Sequence, residues 1–302
     1  MKKRLTSILL ITILMVSILN VNIVKAANFN IDFEPKTESI SLVNLDTDTV
    51  VFEKNANQKR SMASITKIMT YIVTVENIKD LEGTSITIDK KMLDILLGTD
   101  SSLSGIKEGQ TLSVIDLLHC LMIPSGNDAA LVLANYVGNG DVSKFVDLMN
   151  QKASDLSCND THFVNPHGLY DANHYTTVND VIKMAKYAME LPHFMEISTQ
   201  VVSNVLGEDN PLVTTNSMID KIRGGEYYYE YARGIKTGHL DESGYCLVST
   251  ALKDGYTYLC VALGAPSVDS NGKDIDTNNA MLDSKKLYEW AFKNLKLKHV
   301  LD

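Results

Sequence analysis

Hydrophobic and polar positions follow different periods along the chain, and each period predicts a type of element. Residues 39–54 fit two short strands around the polar run Asp46 to Thr49, a pattern typical of a hairpin. From Ala63 to Asn77 the apolar residues recur three and four positions apart. This spacing predicts an amphipathic helix.

The middle of the chain carries further helical patterns. Residues 84–110 are polar and contain glycine, which predicts loops with a short strand. A stripe of leucines and Met122 predicts a helix that ends at Pro124, and a new helix follows from about Asp128 to Tyr136. Residues 143–156 and 178–190 are predicted to be helical as well.

The C-terminal part returns to a strand pattern. Two apolar runs, Tyr245–Leu252 and Tyr256–Gly264, flank the turn residues Lys253, Asp254 and Gly255. A last helix is predicted from Ala280 to Asn294. Strands at both ends with helices between them predict an α+β fold, in which one antiparallel sheet is built from distant segments and covered by helices.

Composition and charge narrow the classes of protein. The 302 residues are 45% apolar and 22% charged, which is ordinary for a globular chain of one large domain or two small ones. We find no internal repeat and no clear domain break. The formal net charge of −9 argues against nucleic acid as a partner, because phosphate contacts need clustered Lys and Arg.

The N-terminus has the pattern of a secretory signal peptide. Basic residues at positions 2–4 precede an apolar stretch from Ile8 to Val24, and small residues follow at Ala26 and Ala27. A retained membrane anchor is the alternative, but asparagines at positions 20 and 22 shorten the apolar run below the roughly 20 residues that span a bilayer. We therefore expect a cleaved segment at residues 1–26, one domain at 27–302 and an extracytoplasmic location.

The four cysteines allow two readings in an exported chain. Cys246 and Cys260 lie in the two C-terminal strand runs and could pair, and three connectivities are open for the full set. A domain of this size does not need disulfides, and cysteine is a good small core residue. Buried free thiols are the favoured prediction.

Ser64 and Lys67 form a candidate nucleophile and base. On a helix, residues three apart share a face, so the lysine amine can reach the serine hydroxyl. The same spacing occurs at Ser104 with Lys107 and at Ser270 with Lys273, but both lie in loops with glycine and no apolar period. Only Ser64 opens an amphipathic helix, although a serine there could also be no more than a helix cap.

Two further short motifs follow in order. Ser125-Gly-Asn127 falls between two predicted helices after Pro124, where Ser125 could also cap the second helix. Ser157-Cys-Asn159 matches the same spacing, so this motif is weak alone. Lys236-Thr237-Gly238 occurs once, before the first C-terminal strand run. Its glycine would let another chain segment approach closely.

Together, these motifs resemble the signatures of β-lactamases and penicillin-binding proteins. Their flanking residues, with a further Asn-Pro-His-Gly-Leu block, resemble the low-molecular-mass D-alanyl-D-alanine carboxypeptidases over about residues 35 to 295. The four blocks are Ala63–Thr70, Pro124–Ala130, Phe163–Leu169 and Gly234–His239. The resemblance implies a β-lactamase/transpeptidase-like fold, in which both chain ends form an antiparallel sheet flanked by helices and the chain between them forms a helical subdomain.

The resemblance also implies the role of each site residue. Ser64 would be the nucleophile, Lys67 the base and Ser125 the proton relay. The substrate would be bound by Asn127, Lys236, Thr237, Gly238 and His239, with the backbone N–H groups of Ser64 and His239 as the oxyanion hole. The implied activity is removal of the terminal D-Ala from peptidoglycan stem peptides at the cell wall, with β-lactams as covalent inhibitors. No cofactor and no metal are implied.

Several alternatives and departures accompany the resemblance. A β-lactamase is disfavoured because no Glu-x-x-Leu-Asn block is present, whereas a D,D-endopeptidase of the same fold stays open. A zinc cluster of Cys158 with neighbouring histidines fits no standard spacing. Met62 replaces a usual proline, and Ser217 stands where a basic residue often binds the substrate carboxylate. We expect no additional C-terminal β domain and at most peripheral membrane association.

Overall fold

The structure, a computed structural model, describes residues 29–296. The predicted signal peptide at residues 1–26 lies outside the described residues. The strands are β1 (Ser39–Asn44), β2 (Thr49–Lys54), β3 (Ser85–Thr87), β4 (Thr111–Ser113), β5 (Val202–Ser203), β6 (Leu212–Val213), β7 (Ala232–Leu240), β8 (Gly244–Lys253) and β9 (Tyr256–Ala265).

The helices fall close to the predicted ranges. They are α1 (Lys67–Asn77), α2 (Lys90–Asp94), α3 (Val114–Met122), α4 (Asn127–Val137), α5 (Val142–Asp155), α6 (Val178–Met189), α7 (Phe194–Ser198) and α8 (Asn279–Asn294). The prediction that an α-helix begins at Ala63 is wrong. Ala63–Thr66 forms a 3₁₀ turn, and the α-helix begins at Lys67. The short helices α2 and α7 were not predicted, and α2 lies within residues 84–110, which were predicted to be loops with a short strand.

One five-stranded antiparallel sheet organises the molecule, in the order β2-β1-β9-β8-β7. Both predicted hairpins are present, and β1 from the N-terminal half pairs with β9, so that Leu42 lies opposite Cys260. The prediction of a sheet built from distant segments is therefore confirmed. At one edge lies β7, which among the described residues pairs with a strand, β8, on one side only. An edge strand of this kind can pair with a peptide in the extended conformation.

Alternate side chains of the central strands point to opposite faces of the sheet, and each face has its own core. Val248 packs on the face covered by α1 and its neighbours, whereas Leu247 packs against α8 on the other face. Both side chains are fully buried, and burial of one such side chain stabilises a fold by about 1.5–3 kcal/mol.

All four cysteines are free and buried, as predicted. Cys246 belongs to the core on the α1 face, whereas Cys260 belongs to the core beneath α8. The Sγ atom of Cys260 contacts Ser284 Oγ of that helix at 3.3 Å. Since the two cysteines lie on opposite faces of the sheet, the alternative of a bridge between them is wrong.

Between residues 29 and 296, the helices are too short or too polar to cross a bilayer. The longest of them, α8, has 16 residues and carries charged side chains.

Candidate active site

Ser64 lies in the 3₁₀ turn between the sheet and α1, one turn before Lys67. The Nζ atom of Lys67 is 2.8 Å from Ser64 Oγ, which confirms the predicted contact between the two side chains. Met62 is the N-cap residue of this turn, and no side chain makes a capping hydrogen bond to it. The alternative that Ser64 serves as a helix cap is therefore wrong.

Lys67 is completely buried and has three polar neighbours. Besides Ser64, its Nζ atom contacts Asn127 Oδ1 at 2.6 Å and the main-chain oxygen of His167 at 2.8 Å. Burial lowers the pKa of Lys67 well below its usual range, the positive charge of Lys236 lowers it further, and Asp128 opposes the shift. The amine is thus in the environment that a general base needs.

The connection between α3 and α4 carries Ser125 and Asn127. Ser125 has a left-handed backbone with φ of 66°, a strained conformation for a non-glycine residue. Its Oγ atom is buried and has no hydrogen-bond partner. Helix α4 begins at Asn127 with Gly126 as its cap and no side-chain cap, so the alternative of a capping role for Ser125 is wrong.

The edge strand β7 supplies the third predicted motif. Lys236 is buried, its Nζ donates to the main-chain oxygen of Thr237 at 3.0 Å, and burial lowers its pKa to about 7. The Oγ1 atoms of Thr237 and Thr215 lie 2.5 Å apart. At Gly238, a Cβ atom would come within 3.1 Å of the Ser64 nitrogen. Glycine is needed here because the strand passes the Ser64 turn so closely.

The Asn-Pro-His-Gly-Leu block packs against the Ser64 turn, a contact that the sequence analysis missed. The Asn165 side chain accepts hydrogen bonds from the backbone N–H groups of His167 and Gly168. Gly168 has φ of 95°, and a Cβ there would lie 2.0 Å from the Ala63 oxygen. This Asx turn therefore packs against the Ser64 turn and presents the His167 oxygen to Lys67.

A second buried histidine, His174, is linked through the Thr66 hydroxyl to Ala63, the residue before Ser64. His174 Nδ1 accepts from the Val164 N–H at 3.0 Å, so the neutral ring carries its proton on Nε2 and donates to Thr66 Oγ1 at 2.7 Å. The Thr66 hydroxyl donates in turn to the Ala63 oxygen at 2.8 Å. Burial lowers the pKa of His174 to about 4, which keeps the ring neutral.

The three predicted motifs lie around a cleft of about 870 Å³. Ser64, Ser125 and Thr237 line it, whereas Lys67 and Lys236 are buried behind its wall. One wall comes from residues 99–102, in a region predicted to be loops with a short strand. Asn127 reaches that wall through a hydrogen bond from its Nδ2 to Ser101 Oγ at 2.9 Å.

The other two serine-lysine pairs lack a buried lysine beside the serine. Ser104 is buried, whereas Lys107 is exposed, and the Ser104 backbone N–H binds the carboxylate of Asp128. Ser270 and Lys273 are both exposed. The preference for Ser64 on grounds of its amphipathic context agrees with this geometry.

Comparison with known proteins identifies relatives of one kind. The family model described as peptidase S11, D-alanyl-D-alanine carboxypeptidase, matches residues 24–267. D-alanyl-D-alanine carboxypeptidase DacF of Bacillus subtilis is 31% identical over 76% of this chain and 58% of its own length. A D-alanyl-D-alanine carboxypeptidase of Streptomyces sp. K15 is 30% identical over 77% of this chain and 82% of its own length. The chain thus spans little more than half of the Bacillus relative.

Solved structures agree in fold. The Streptomyces K15 DD-transpeptidase superposes with a TM-score of 0.77 at 27% identity, covering 87% of this chain and all of the other. Penicillin-binding protein D2 of Listeria monocytogenes superposes with a TM-score of 0.71 at 23% identity, which supports the fold alone. The predicted transpeptidase-like fold is confirmed.

Proposed function

Because the chain belongs to the D-alanyl-D-alanine carboxypeptidase family of serine peptidases, we propose that it removes the terminal D-alanine from peptidoglycan stem peptides through an acyl-enzyme on Ser64. The observation that carries this proposal is the environment of Lys67. A neutral amine has two N–H donors and one lone pair. The oxygens of Asn127 and His167 take the two donors, which leaves the lone pair for the Ser64 hydroxyl proton.

Acylation would proceed in two steps. Ser64 Oγ transfers its proton to Lys67 and attacks the carbonyl carbon of the penultimate D-alanine, and the carbonyl oxygen becomes an oxyanion held by the backbone N–H groups of Ser64 and His239. The C–N bond then breaks, and the departing amine receives the proton from Lys67 through Ser125. The Oγ atom of Ser125 has no hydrogen-bond partner in the structure, so this relay requires the hydroxyl to turn toward Lys67 and the departing amine when substrate is bound.

Deacylation would return the enzyme to its starting state. Water adds to the ester carbonyl, gives its proton to Lys67, and Ser64 leaves with that proton. The product is a stem peptide shortened by one residue, with a new terminal carboxylate. A β-lactam would follow the same acylation, with opening of its ring amide in place of D-alanine release.

Substrate binding would use the edge of β7. An extended peptide can pair with this edge, with Asn127 contacting a substrate amide and Lys236 with Thr237 binding the terminal carboxylate. Burial lowers the pKa of Lys236 to about 7, and a bound carboxylate favours its charged form. Ser217 offers no cation here, so Lys236 would carry the electrostatic part of carboxylate binding.

The place of action is part of the proposal. Family membership is consistent with action on the bacterial cell wall. We propose that residues 1–26 are removed on export and that residues 27–302 act at the wall or at the outer face of the cytoplasmic membrane. Mass spectrometry of the secreted protein would find an N-terminus near Ala27, whereas an intact N-terminus would contradict cleavage.

Two experiments test the activity. The purified protein is expected to release D-alanine from a peptide ending in D-Ala-D-Ala and not from its L-Ala-L-Ala counterpart. Benzylpenicillin is expected to form an adduct that peptide mapping places on Ser64. Ser64→Ala should abolish the adduct, whereas Ser104→Ala and Ser270→Ala should retain it. Equal turnover of both peptides, or an adduct on another serine, would contradict the proposal.

A further inference from the structure

One wall of the cleft belongs to a segment without helix or strand, residues 99–105, which we call the wall segment. Its only large apolar side chain, Leu103, is 56% exposed, whereas Leu96 and Ile106 are buried on either side of the segment. A segment that buries so little apolar surface depends on hydrogen bonds for its position. The partners of these hydrogen bonds therefore decide where this wall of the cleft lies.

The hydrogen bonds of residues 101–105 lead to the first turn of α4. In the described part of the chain, their partners outside the wall segment are Asn127 and Asp128. Both carboxylate oxygens of Asp128 accept from the backbone N–H of Ser104 at 3.0 Å, and one of them also accepts from that of Gly105 at 3.2 Å. The carboxylate thus binds two consecutive backbone N–H groups of the wall segment.

The Asp128 carboxylate depends on these contacts in turn. The residue is 2% exposed, and within residues 29–296 it forms no ion pair. Its other hydrogen bond comes from the backbone N–H of Ala129 at 2.9 Å. A buried carboxylate is costly unless it is hydrogen-bonded, and hydrogen bonds to a charged acceptor are stronger than those between neutral groups. The wall segment and Asp128 therefore stabilise each other.

The residue before Asn127 permits this close approach of the wall segment to α4. A Cβ atom on Gly126 would lie 2.6 Å from Asp128 Oδ1, 2.7 Å from the Cys120 oxygen and 2.9 Å from Ser104 Cβ. Distances this short do not occur for real side chains, so any other residue would push the wall segment away from the carboxylate. The glycine is an independent indication that the contact is built into the fold.

The wall segment reaches the base through Asn127. The Asn127 backbone N–H donates to the Ser102 oxygen at 2.8 Å, and its side-chain Nδ2 donates to Ser101 Oγ at 2.9 Å. With Nδ2 directed to the wall segment, Oδ1 faces Lys67 and accepts from Nζ at 2.6 Å. If the wall segment moved away, the amide would lose the contact that fixes its orientation, and Lys67 would lose a fixed acceptor.

We propose that Asp128 is a positioning residue of the active site, whose carboxylate holds the wall segment against α4 and thereby fixes the Asn127 amide at Lys67. This role rests on the proposed function, in which Asn127 binds a substrate amide and Lys67 activates Ser64. Among the described residues no hydrogen bond joins Asp128 to Ser64 or Lys67. Asp128 therefore acts through the wall segment and Asn127.

The test starts from Asp128→Asn, which keeps the shape of the side chain but turns one acceptor oxygen into an NH₂ donor that faces backbone N–H groups. Hydrogen exchange of the backbone N–H groups of residues 101–105, followed by mass spectrometry, should become faster by about 10-fold or more because the wall segment opens more often. Acylation by benzylpenicillin should fall by about 10–100-fold, since the Asn127 amide is no longer held in place.

The pH profile of acylation gives a readout that a purely structural role would not change. Lys67 faces the positive charge of Lys236 from β7, the negative charge of Asp128 from α4, and the His167 ring, which burial keeps neutral by lowering its pKa to about 3. Removal of the Asp128 charge lowers the pKa of Lys67, so the acid limb should move to lower pH. This direction is opposite to the one expected for Lys236→Met.

Asp283→Asn is the matched control, because it makes the same change at a buried carboxylate on α8. Asp283 is 1% exposed and accepts from the backbone N–H of Thr37 at 2.7 Å and from its hydroxyl at 2.8 Å. The melting temperature should fall in both variants, since each loses a buried acceptor of a backbone N–H. Exchange of residues 101–105, the acylation rate and the acid limb should stay at their wild-type values in Asp283→Asn.

A milder variant keeps the test decisive if Asp128→Asn does not fold. Ser101→Ala removes the hydrogen bond from Asn127 Nδ2 to the wall segment and leaves the carboxylate of Asp128 in place. Acylation should fall by about 3–10-fold, the usual effect of one lost hydrogen bond. The acid limb should stay where it is, because no charge near Lys67 has changed.

Several results would overturn the role of Asp128 alone. They are wild-type acylation in Asp128→Asn or in Ser101→Ala, unchanged exchange of residues 101–105 in Asp128→Asn, an acid limb that does not move in that variant, and an equal loss of acylation in Asp283→Asn. A wild-type protein that neither releases D-alanine nor forms a penicillin adduct would instead overturn the proposed function. Hydrogen exchange would still show whether Asp128 holds the wall segment.

Discussion

The Nζ atom of Lys67 lies 2.6 Å from Oδ1 of Asn127, although 60 residues separate them in sequence. The contact joins the first turn of α1 to the first turn of α4. A second contact, to the His167 oxygen, spans 100 residues. The amine is therefore oriented by two separate segments, and its position depends on the tertiary fold rather than on the helix that carries it.

Lys67→Arg is expected to abolish acylation. A guanidinium stays protonated in proteins and cannot accept the Ser64 proton. Loss of a general base typically costs about 10²–10⁴-fold in rate. The rate of benzylpenicillin acylation, followed by intact mass, measures the effect directly. If the variant acylates near the wild-type rate, Lys67 is not the base.

Lys236→Arg provides the matched comparison, since it makes the same change at the other buried lysine. The positive charge is retained, but the larger head does not fit the same space. KM for a D-Ala-D-Ala peptide should rise by about 10-fold, with acylation still measurable. Collapse of acylation in both variants to the same degree would contradict the separate roles assigned to the two lysines.

The pH profile of kcat/KM should be bell-shaped. Lys67 must be neutral, so the rate rises as pH increases through its pKa, which burial and Lys236 hold well below the usual range. Lys236 must be protonated to bind the substrate carboxylate, so the rate falls above the free-enzyme pKa of about 7. Measurement from about pH 5 to about pH 10 tests both limbs.

Lys236→Met separates the two limbs. Removal of the neighbouring positive charge stabilises protonated Lys67 and raises its pKa, so the acid limb should move to higher pH. The alkaline limb should disappear because its titrating group is gone. An acid limb that stays in place would show that Lys236 does not influence the base.

Much of this architecture could be predicted from local pattern. The apolar period predicted the bounds of α1 and α6 to within a few residues, and the turn residues predicted both hairpins of the sheet. The serine-lysine spacing correctly brought Lys67 to Ser64, because residues three apart share a face in a 3₁₀ turn as well as in an α-helix.

The parts that could not be predicted depend on contacts between distant segments. Nothing local to His167 shows that its main-chain oxygen faces Lys67, although Asn165 and Gly168 give the signal of an Asx turn. The left-handed backbone of Ser125 could not be predicted either, because this conformation is uncommon for residues other than glycine. The wall at residues 99–102 lies in a polar loop without periodicity, so its place beside Asn127 leaves no pattern in the sequence.

The cysteines should behave as buried thiols. Burial raises the pKa of Cys246 to about 11 and that of Cys260 to about 12, so that neither forms a reactive thiolate near neutral pH. Ellman's reagent should count four thiols in denaturant and almost none in the native protein. Activity should be insensitive to reductant. A mass two hydrogens below that of the reduced chain would reveal a disulfide and contradict the structure.

Gly238→Ala is expected to reduce catalysis while the protein stays folded. The added Cβ would lie 3.1 Å from Ala63 Cβ, the Met62 oxygen and the Ser64 nitrogen, so the strand and the nucleophile turn must separate by a few tenths of an ångström. Such a shift displaces His239 from Ser64 and disturbs the proposed oxyanion hole. We expect acylation to fall by about 10–100-fold, with little change in the melting temperature.

Gly255→Ala is the control for this prediction, because it should give the opposite result. Gly255 has φ of 82° with no atom within 4 Å of an added Cβ, at the turn between β8 and β9, so alanine is strained there without touching the site. We expect a loss of about 1–2 kcal/mol in the free energy of unfolding and an unchanged acylation rate. Thermal unfolding and penicillin acylation, measured on both variants, separate the effects. Loss of acylation in Gly255→Ala, or normal acylation in Gly238→Ala, would show that close approach of β7 to Ser64 is not what this glycine provides.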